Sequence, residues 1–465
     1  MVRELTTEVQ TVTIGQVRST PQTLTTVTTL TSIAVTLTLR TTTTVTTASA
    51  FVRFLRTYFV QIKSNIKLFM SYKLTKTQLL FDLYYAFECA KKHKKNKSYV
   101  KYFESRLHDN LLSLCNDLYD RTYQALPSSC FIINHPKKRE VFAADFRDRI
   151  VHHLYYNYTH QLYERTFIED CYSCIKDKGT HYGIHRLEHH IREESNNFQD
   201  NCYILKMDIK GYFMSINRNI LLDEALNTLN KMKYHKITNK ENKRWDDVID
   251  FEFVTFLTER IILLDPTINC VFKSQKQEWV GLADSKSMFK MPKNCGLPIG
   301  NLTSQLFSNV YLNALDQYVK RDLKCKHYGR YVDDLFIVSK DKDFLHNCII
   351  KIEEFMESRL ALKIQKGKTI IRSMHQGVEF LGAYIKPHRT YISNQCLRRI
   401  KKNVYTITKN DNAIASINSW LGIFSHYNSY KLRVDIFTKI KNVFNIGVYD
   451  KKFTKLIPKD KWKIK

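Results

Sequence analysis

The spacing of apolar positions divides the chain into segments of different character. Leu79, Leu80, Leu83 and Phe87 recur at the intervals that line one face of an α-helix, and a second helical stretch covers residues 99–123. Between them, Lys91-Lys92-His93-Lys94-Lys95-Asn96-Lys97 reads as a solvated helix end. Pro127 and Pro136 then interrupt the helical pattern. From Phe131 to Ile385 short β-type runs alternate with helical ones, among them Tyr203-Ile204-Leu205-Lys206-Met207, Leu335-Phe336-Ile337-Val338 and Val378-Glu379-Phe380-Leu381-Gly382-Ala383-Tyr384-Ile385. Residues 231–292 are polar at both ends and read as an elaboration inserted between two core elements. From about residue 394 the pattern is helical again to the end. The order predicts an α+β fold with a helical entry and a helical exit.

The first 69 residues stand apart. The first 50 contain 19 Thr, and Glu4 and Glu8 are the only acidic residues before Met70. Thr-rich, acid-poor sequence of this kind does not specify a packed core. Arg3, Arg18 and Arg40 are too sparse for a transit peptide. The expectation is that residues 1–69 are a low-complexity extension, disordered or not part of the native protein, and that the folded protein opens at Met70.

Charge narrows the function class. The chain has 465 residues and a formal net charge of +28. Residues 396–465 alone carry about +12 of it. Such a charge attracts polyanions, nucleic acid first among them. No apolar stretch has the length of a membrane span; the nearest, residues 51–69, contains Arg53, Arg56, Lys63 and Lys67. Eleven cysteines are scattered without a secretory pattern, which predicts a reducing, cytoplasmic setting. Cys171-Tyr172-Ser173-Cys174 is a lone CxxC, whereas a zinc site needs four ligands, so these read as reduced cysteines. His152-His153 and His189-His190 read as helix-face residues.

The candidate chemistry lies in three carboxylates. Asp333 and Asp334 sit between two β-type runs, which places them at a hairpin tip. Asp208 ends the run that begins at Tyr203, and Ile209-Lys210-Gly211-Tyr212-Phe213 follows. Three carboxylates aimed at one another form a hard-oxygen cage suited to Mg²⁺. Two such ions support nucleotidyl transfer, a reaction that asks the protein mainly for positioning and charge stabilisation.

Here the sequence resembles the reverse transcriptases, over about residues 137–386. Asp208 to Phe213 resembles the first catalytic motif of that family, and Tyr331-Val332-Asp333-Asp334 its Tyr-x-Asp-Asp motif. Leu297-Pro298-Ile299-Gly300-Asn301-Leu302-Thr303-Ser304-Gln305 resembles the intervening motif under template and nucleotide. Leu362-Lys363-Ile364 with Lys366, Lys368 and Thr369, and then Phe380-Leu381-Gly382, resemble the next motif and the primer grip. Most of the family carries Gln where Ile299 stands and Pro where Gln305 stands. The pattern here is similar to the enzymes of diversity-generating retroelements, as are the segment from Lys138 to His153 and Lys178-Gly179-Thr180-His181.

The resemblance implies a right-hand polymerase. N-terminal helices and fingers would span residues 70–200. A palm with a small antiparallel sheet would span 201–393, and a basic helical thumb 394–465. Asp208, Asp333 and Asp334 would hold two Mg²⁺ ions, Asp334 less directly. Phe213 would be the steric gate against a ribose 2′-hydroxyl. One or two of Lys138, Arg139, Arg147 and Arg149 would clamp the triphosphate, and Lys368 would approach the pyrophosphate. Ile299, Gly300 and Gln305 would contact template and nucleotide, with low fidelity at template adenines implied by Ile299. Phe380, Leu381 and Gly382 would grip the primer. Implied partners are a template RNA and its RNA–DNA hybrid, deoxynucleoside triphosphates and a small basic helical accessory protein, in a bacterial or phage-encoded system. Retron, group II intron-like and antiviral-defence reverse transcriptases share the palm and remain alternatives, as does an inactive RNA-binding palm protein.

Overall fold

The computed structural model describes residues 73–134, 137–237, 243–404, 413–440 and 443–459. The Thr-rich extension lies outside the described residues. Residues 70–104 and 109–465 belong to one compact unit. Helix α1 (Lys76–Lys91) buries Leu79, Leu83 and Phe87 of the positions picked out by helical spacing, together with Ala86, and leaves Leu80 half-buried. Helices α2 (Ser98–Ser105) and α3 (Leu107–Tyr119) follow. Phe87, Phe103 and Phe146 meet with ring centroids 5.4–6.1 Å apart, and this cluster fixes α1 against α4 (Phe146–Glu164). The Asp145 side chain caps α4 by accepting the Arg147 N–H at 2.9 Å.

Strands β1 (Ser128–Ile133) and β2 (Arg139–Ala143) form an antiparallel pair before α4. Their third partner is β4 (Cys270–Phe272), parallel to β1. Strand β4, which lies within the stretch read as an elaboration, therefore completes this sheet. Buried Glu140 on β2 accepts from Trp279 Nε1 (2.7 Å), Ser287 Oγ (2.9 Å) and Met288 N (2.6 Å), tying that segment down through one carboxylate.

After α5 (Thr180–Glu194) comes the central sheet. Strand β3 (Tyr203–Asp208) lies between β6 (Asp334–Ser339) and β7 (Ile370–Ser373), and β5 (His327–Tyr331) flanks β6, every pairing antiparallel. Helix α9 (Leu302–Gln317) is buried along most of its length and packs against α4 and against α7 (Arg218–Met232). Between these two comes α8 (Phe251–Ile262), and α10 (Lys342–Leu360) follows β6. The hairpin of β8 (Val378–Phe380) and β9 (Ala383–Lys386), extended by β10 (Arg389–Ile392), joins the same core. Phe380 meets Phe336 edge to face at 5.2 Å. Complete burial of such a ring contributes about 1.5–3 kcal/mol, which fastens this hairpin to the sheet.

The C-terminal helices α11 (Asn394–Val404), α12 (Ala413–Ser425) and α13 (Tyr430–Thr438) have their own core of Ile400, Ile417, Leu421, Phe424, Phe437 and Leu456. On α11, Arg398, Arg399, Lys401 and Lys402 are exposed around buried Ile400. His181 of α5 stacks on His426 at 3.6 Å between centroids, joining this bundle to the sheet region. No disulfide joins any of the eleven cysteines. Among the described residues no helix is long and apolar enough to cross a membrane.

His152 lies on the buried face of α4, with Nδ1 2.8 Å from Thr303 Oγ1. Burial, aided by the charges of His153 and Arg149, drives its pKa from 6.5 down to about 3. The folded value lies below the unfolded one, so folding favours the neutral ring. This contribution is whole above pH 6.5 and is lost as pH falls toward 3. Between pH 7 and pH 4.5 the wild type should lose about 2 kcal/mol more urea-unfolding free energy than His152→Gln. Equal losses would show that another group is responsible.

Candidate active site at the β5–β6 hairpin

The hairpin turn is built from Val332 and Asp333, with Tyr331 paired to Asp334. Val332 has φ +54°, a left-handed conformation that a β-branched residue rarely adopts and that costs about 1–3 kcal/mol. Both backbone polar groups of Val332 are held from below. Its N–H donates to Ser173 Oγ at 3.1 Å, and its carbonyl accepts from Arg330 Nη1 at 3.0 Å. Arg330 is fully buried and pairs with equally buried Asp316 on α9, Nη2 to Oδ2 at 2.6 Å. Nη1 also donates to Asn309 Oδ1 at 3.2 Å, and the same oxygen accepts from Ser173 Oγ at 3.1 Å. Tyr328 OH completes the set on Asp316 at 2.6 Å. A buried guanidinium is tolerable only when its donors are used in this way.

The third carboxylate arrives across the sheet. In the β3–β6 register Asp208 stands directly opposite Asp334, so the turn, the start of β6 and the end of β3 carry Asp333, Asp334 and Asp208 at one end of the sheet. The backbone beyond Asp208 is closed off by the segment before β7, with Gln365 N donating to Asp208 O at 2.7 Å. Two lysines answer the negative charge. Lys368 Nζ lies 2.5 Å from Asp208 Oδ2, and Lys206 Nζ lies 3.4 Å from Asp334 Oδ1. Asp333 is raised to about 6, by burial first and then by the charges of Asp334 and Asp208. Asp334 is also raised, by burial, with Lys206 opposing. The two lysines thus leave a net repulsion that a divalent cation would relieve. The donor set is all carboxylate oxygen, which fits Mg²⁺.

The remaining candidates fall into three groups. Gly211 (φ +55°) turns the chain after Asp208 into a short helix, α6 (Tyr212–Ser215), which carries half-buried Phe213. The Phe213 carbonyl accepts from Leu297 N at 2.8 Å, linking this helix to the Ile299 segment. Ile299 packs against Cys130, Phe142, Met214 and Met288, and its carbonyl accepts from Phe142 N at 3.1 Å. Gly300 has φ +127°, and a Cβ there would meet Val141 Cγ1 at 3.0 Å and Phe142 O at 3.2 Å, so β2 can lie this close only against glycine. Gln305 is exposed on the first turns of α9.

The four basic candidates separate. Arg147 is engaged by Asp117, by Asp148 at 3.5 Å and by the Gln124 carbonyl at 3.2 Å. Arg149 donates to the Ala144 carbonyl at 2.8 Å and to Tyr99 OH at 3.2 Å. Both are committed to holding α4 in place. Lys138 Nζ donates to the Val280 carbonyl at 2.7 Å at the surface, and Arg139 is exposed at the start of β2. On the other side, Leu381 and Gly382 form a two-residue turn with φ +50° and +86°, and Phe380 anchors it in the core.

Arg330, Asp316, Asn309 and Ser173 were not singled out by motif spacing. One signal was available. Asn309 and Asp316 lie seven residues apart on α9, two turns along one face. The lone CxxC resolves in the same place. Cys171 is buried against Arg330, with Nη2 3.5 Å from its sulfur, and Cys174 is exposed.

Comparison with known proteins adds a family. Residues 137–385 match the family described as Reverse transcriptase (RNA-dependent DNA polymerase). Solved structures similar to the chain include the apo telomerase from Candida tropicalis truncated from its C-terminal domain, at 12% identity and TM-score 0.42, covering 61% of this chain and 60% of that one. Another is the telomerase from Candida albicans in complex with the TWJ fragment of telomeric RNA, at 10% identity and TM-score 0.40, covering 70% and 62%. The chain thus spans about 60% of the first of these. Comparison with curated proteins finds no match.

The hydrogen bonds beneath the turn make a graded prediction. Ser173→Ala removes the acceptor of the Val332 N–H and should cost about 1–3 kcal/mol of unfolding free energy. Arg330→Met leaves Asp316 buried without its partner and should cost about 3–5 kcal/mol. Urea titrations read both; an Arg330→Met protein as stable as the wild type would remove the ion pair from this account.

Proposed function

The chain belongs to the reverse transcriptase family, and from that premise we propose that it copies a template RNA into DNA by metal-dependent nucleotidyl transfer. The observation that carries the reading is the gathering of Asp208, Asp333 and Asp334 at one end of the central sheet. Two Mg²⁺ ions held there would activate the primer 3′-hydroxyl and stabilise the departing pyrophosphate. The strained turn positions Asp333, and the sheet register positions Asp208 against Asp334. Lys368, already drawn to Asp208, stands ready to shift to pyrophosphate as charge develops on it. Arg139, exposed at the start of β2, and Lys138 just before it, whose surface bond is to a single carbonyl, suit the triphosphate better than Arg147 and Arg149, which are each held by two or more partners.

In this reading the sheet of β3, β5, β6 and β7 with the hairpin of β8 and β9 is the palm, and β1 and β2 belong to the fingers. The bundle from α11 onward is the thumb. The exposed basic face of α11 meets the sugar–phosphate backbone of the hybrid, because duplexes containing RNA are read mainly by shape. Phe213 lies five residues past Asp208 and fills the space that a ribose 2′-hydroxyl would need. The Leu381-Gly382 turn carries the primer end.

The finer assignment is to the error-prone enzymes of diversity-generating retroelements, working in a bacterial or phage cytoplasm with a small basic helical accessory protein. Ile299 and Gln305 support it. An isoleucine side chain offers a nascent base pair apolar contact alone, so a misaligned pair leaves no polar group unmet and is rejected less strongly.

Primer extension on an RNA template tests the activity. Asp333→Asn should reduce synthesis by about a thousandfold or more, and Phe213→Ala should incorporate ribonucleotides that the wild type rejects. Metal-independent synthesis, or unchanged activity in Asp333→Asn, would overturn the reading. For the subtype, cDNA made by Ile299→Gln should carry about tenfold fewer errors at template adenines, a modest loss of discrimination energy restored. Equal adenine error rates would remove Ile299 from the argument.

A further inference from the structure

Behind the sheet, away from the three aspartates, α5 and the start of β5 bring two buried histidines together, their rings 5.2 Å apart and inclined at 67°. Nδ1 of His190 lies 3.1 Å from Nδ1 of His327, and each residue is only 3% exposed. Glu193, one turn beyond His190 on α5, places Oε2 3.9 Å from His327 Nδ1. The three ligand atoms lie within 4.8 Å of one another.

The outer nitrogens face carboxylates. His190 Nε2 is 3.2 Å from Asp170 Oδ2, and His327 Nε2 is 3.2 Å from Glu194 Oε2. Neither Nε2 makes an aligned hydrogen bond within the protein. A carboxylate beside Nε2 favours the proton on that nitrogen, which leaves the Nδ1 lone pair pointing inward. Two such lone pairs 3.1 Å apart repel unless a positive centre, a shared proton or a metal ion, lies between them. Their separation is close to the edge of a tetrahedron whose bonds are about 2.0–2.1 Å, or roughly 3.3–3.4 Å. Carboxylates behind the non-ligating nitrogens are also the usual second partners of metal-binding histidines.

We propose that His190, His327 and Glu193 bind a transition-metal ion, with Zn²⁺ favoured by the two-nitrogen, one-oxygen donor set and water filling the fourth position. Lys326 Nζ engages the other oxygen of Glu193 at 2.7 Å and leaves Oε2 for the ion. His189 Nε2 lies 3.6 Å from the same Oε2 on the exposed side. Mg²⁺ would not compete, because it prefers oxygen ligands and gives up water reluctantly.

The ion would be a clamp with a position in the fold that matters. His327 opens the strand that ends in the Val332 turn. Asp170, behind His190, is held by Arg186 Nε at 2.7 Å and Tyr172 OH at 3.0 Å, and its carbonyl accepts from Arg330 N at 2.9 Å. One bound ion would therefore tie α5, the segment before Ser173 and β5 together under the hairpin. This inference does not depend on the polymerase reading.

The test uses the full chain, stripped with chelator and titrated with Zn²⁺ in millimolar Mg²⁺ against a chromophoric competitor, with metal content measured after dialysis. The wild type and Asp333→Asn should each retain one equivalent. His327→Gln and Glu193→Gln should weaken binding at least about tenfold. Co²⁺ in place of Zn²⁺ should give visible absorption that Glu193→Gln alters; Glu193 is partly exposed, so that variant carries little folding risk. No retained zinc in the wild type would overturn the proposal. So would undiminished binding in both ligand variants, or zinc lost in Asp333→Asn alone, which would place the ion among the aspartates.

Discussion

One buried ion pair, Arg330 with Asp316, supports the geometry on which everything else at the site depends. It joins a strand to a helix buried along most of its length, and through Nη1 it holds the carbonyl of the strained Val332. A valine in the left-handed region would relax if its surroundings allowed it. Ser173 and Arg330 grip both of its polar groups, so relaxation would leave hydrogen-bonding groups unmet in a dry interior. The turn keeps its shape because the alternatives cost more, and Asp333 is presented where the sheet register brings Asp208 and Asp334.

This support also explains how like charges can be held together. Asp333 rises to about 6 through burial and through its two carboxylate neighbours, so the cluster is strained electrostatically as well as sterically. A rigid anionic group with lysines on only two of its members favours a small divalent cation. The basic residues that make the chain strongly positive are placed elsewhere, above all in the C-terminal bundle. In the proposed function, separating the two charge systems would let one hold metal and the other a polyanion without mutual neutralisation.

The segment between α7 and α9 shows the same economy on the opposite flank. It supplies β4 to the β1–β2 sheet and gives Glu140 all three of its donors. That packing sets the close approach of β2 to Gly300, and with it the position of Ile299. Strand β4, Trp279, Ser287 and Met288, within the stretch that reads as an elaboration by its polar ends, are part of the wall against which that segment is built.

The sequence by itself determined the outline. Helical spacing marked the buried face of α1, β-type runs marked β3 and β6, and the placing of Asp208, Asp333 and Asp334 at strand ends was legible. Periodicity and turn chemistry are local properties, and each of these features rests on neighbours within a few residues. Tertiary structure alone decided the rest. It committed Arg147 to Asp117 and Arg149 to Ala144 and Tyr99, setting them apart from Lys138 and Arg139. It revealed Arg330, Asp316, Asn309 and Ser173 as one network and brought His190 to His327. Those contacts join residues 14 to 137 positions apart. A charged or polar side chain carries no mark in the sequence of whether it will meet water or a buried partner. That is settled when the elements pack and the cost of desolvation selects the pairings that survive.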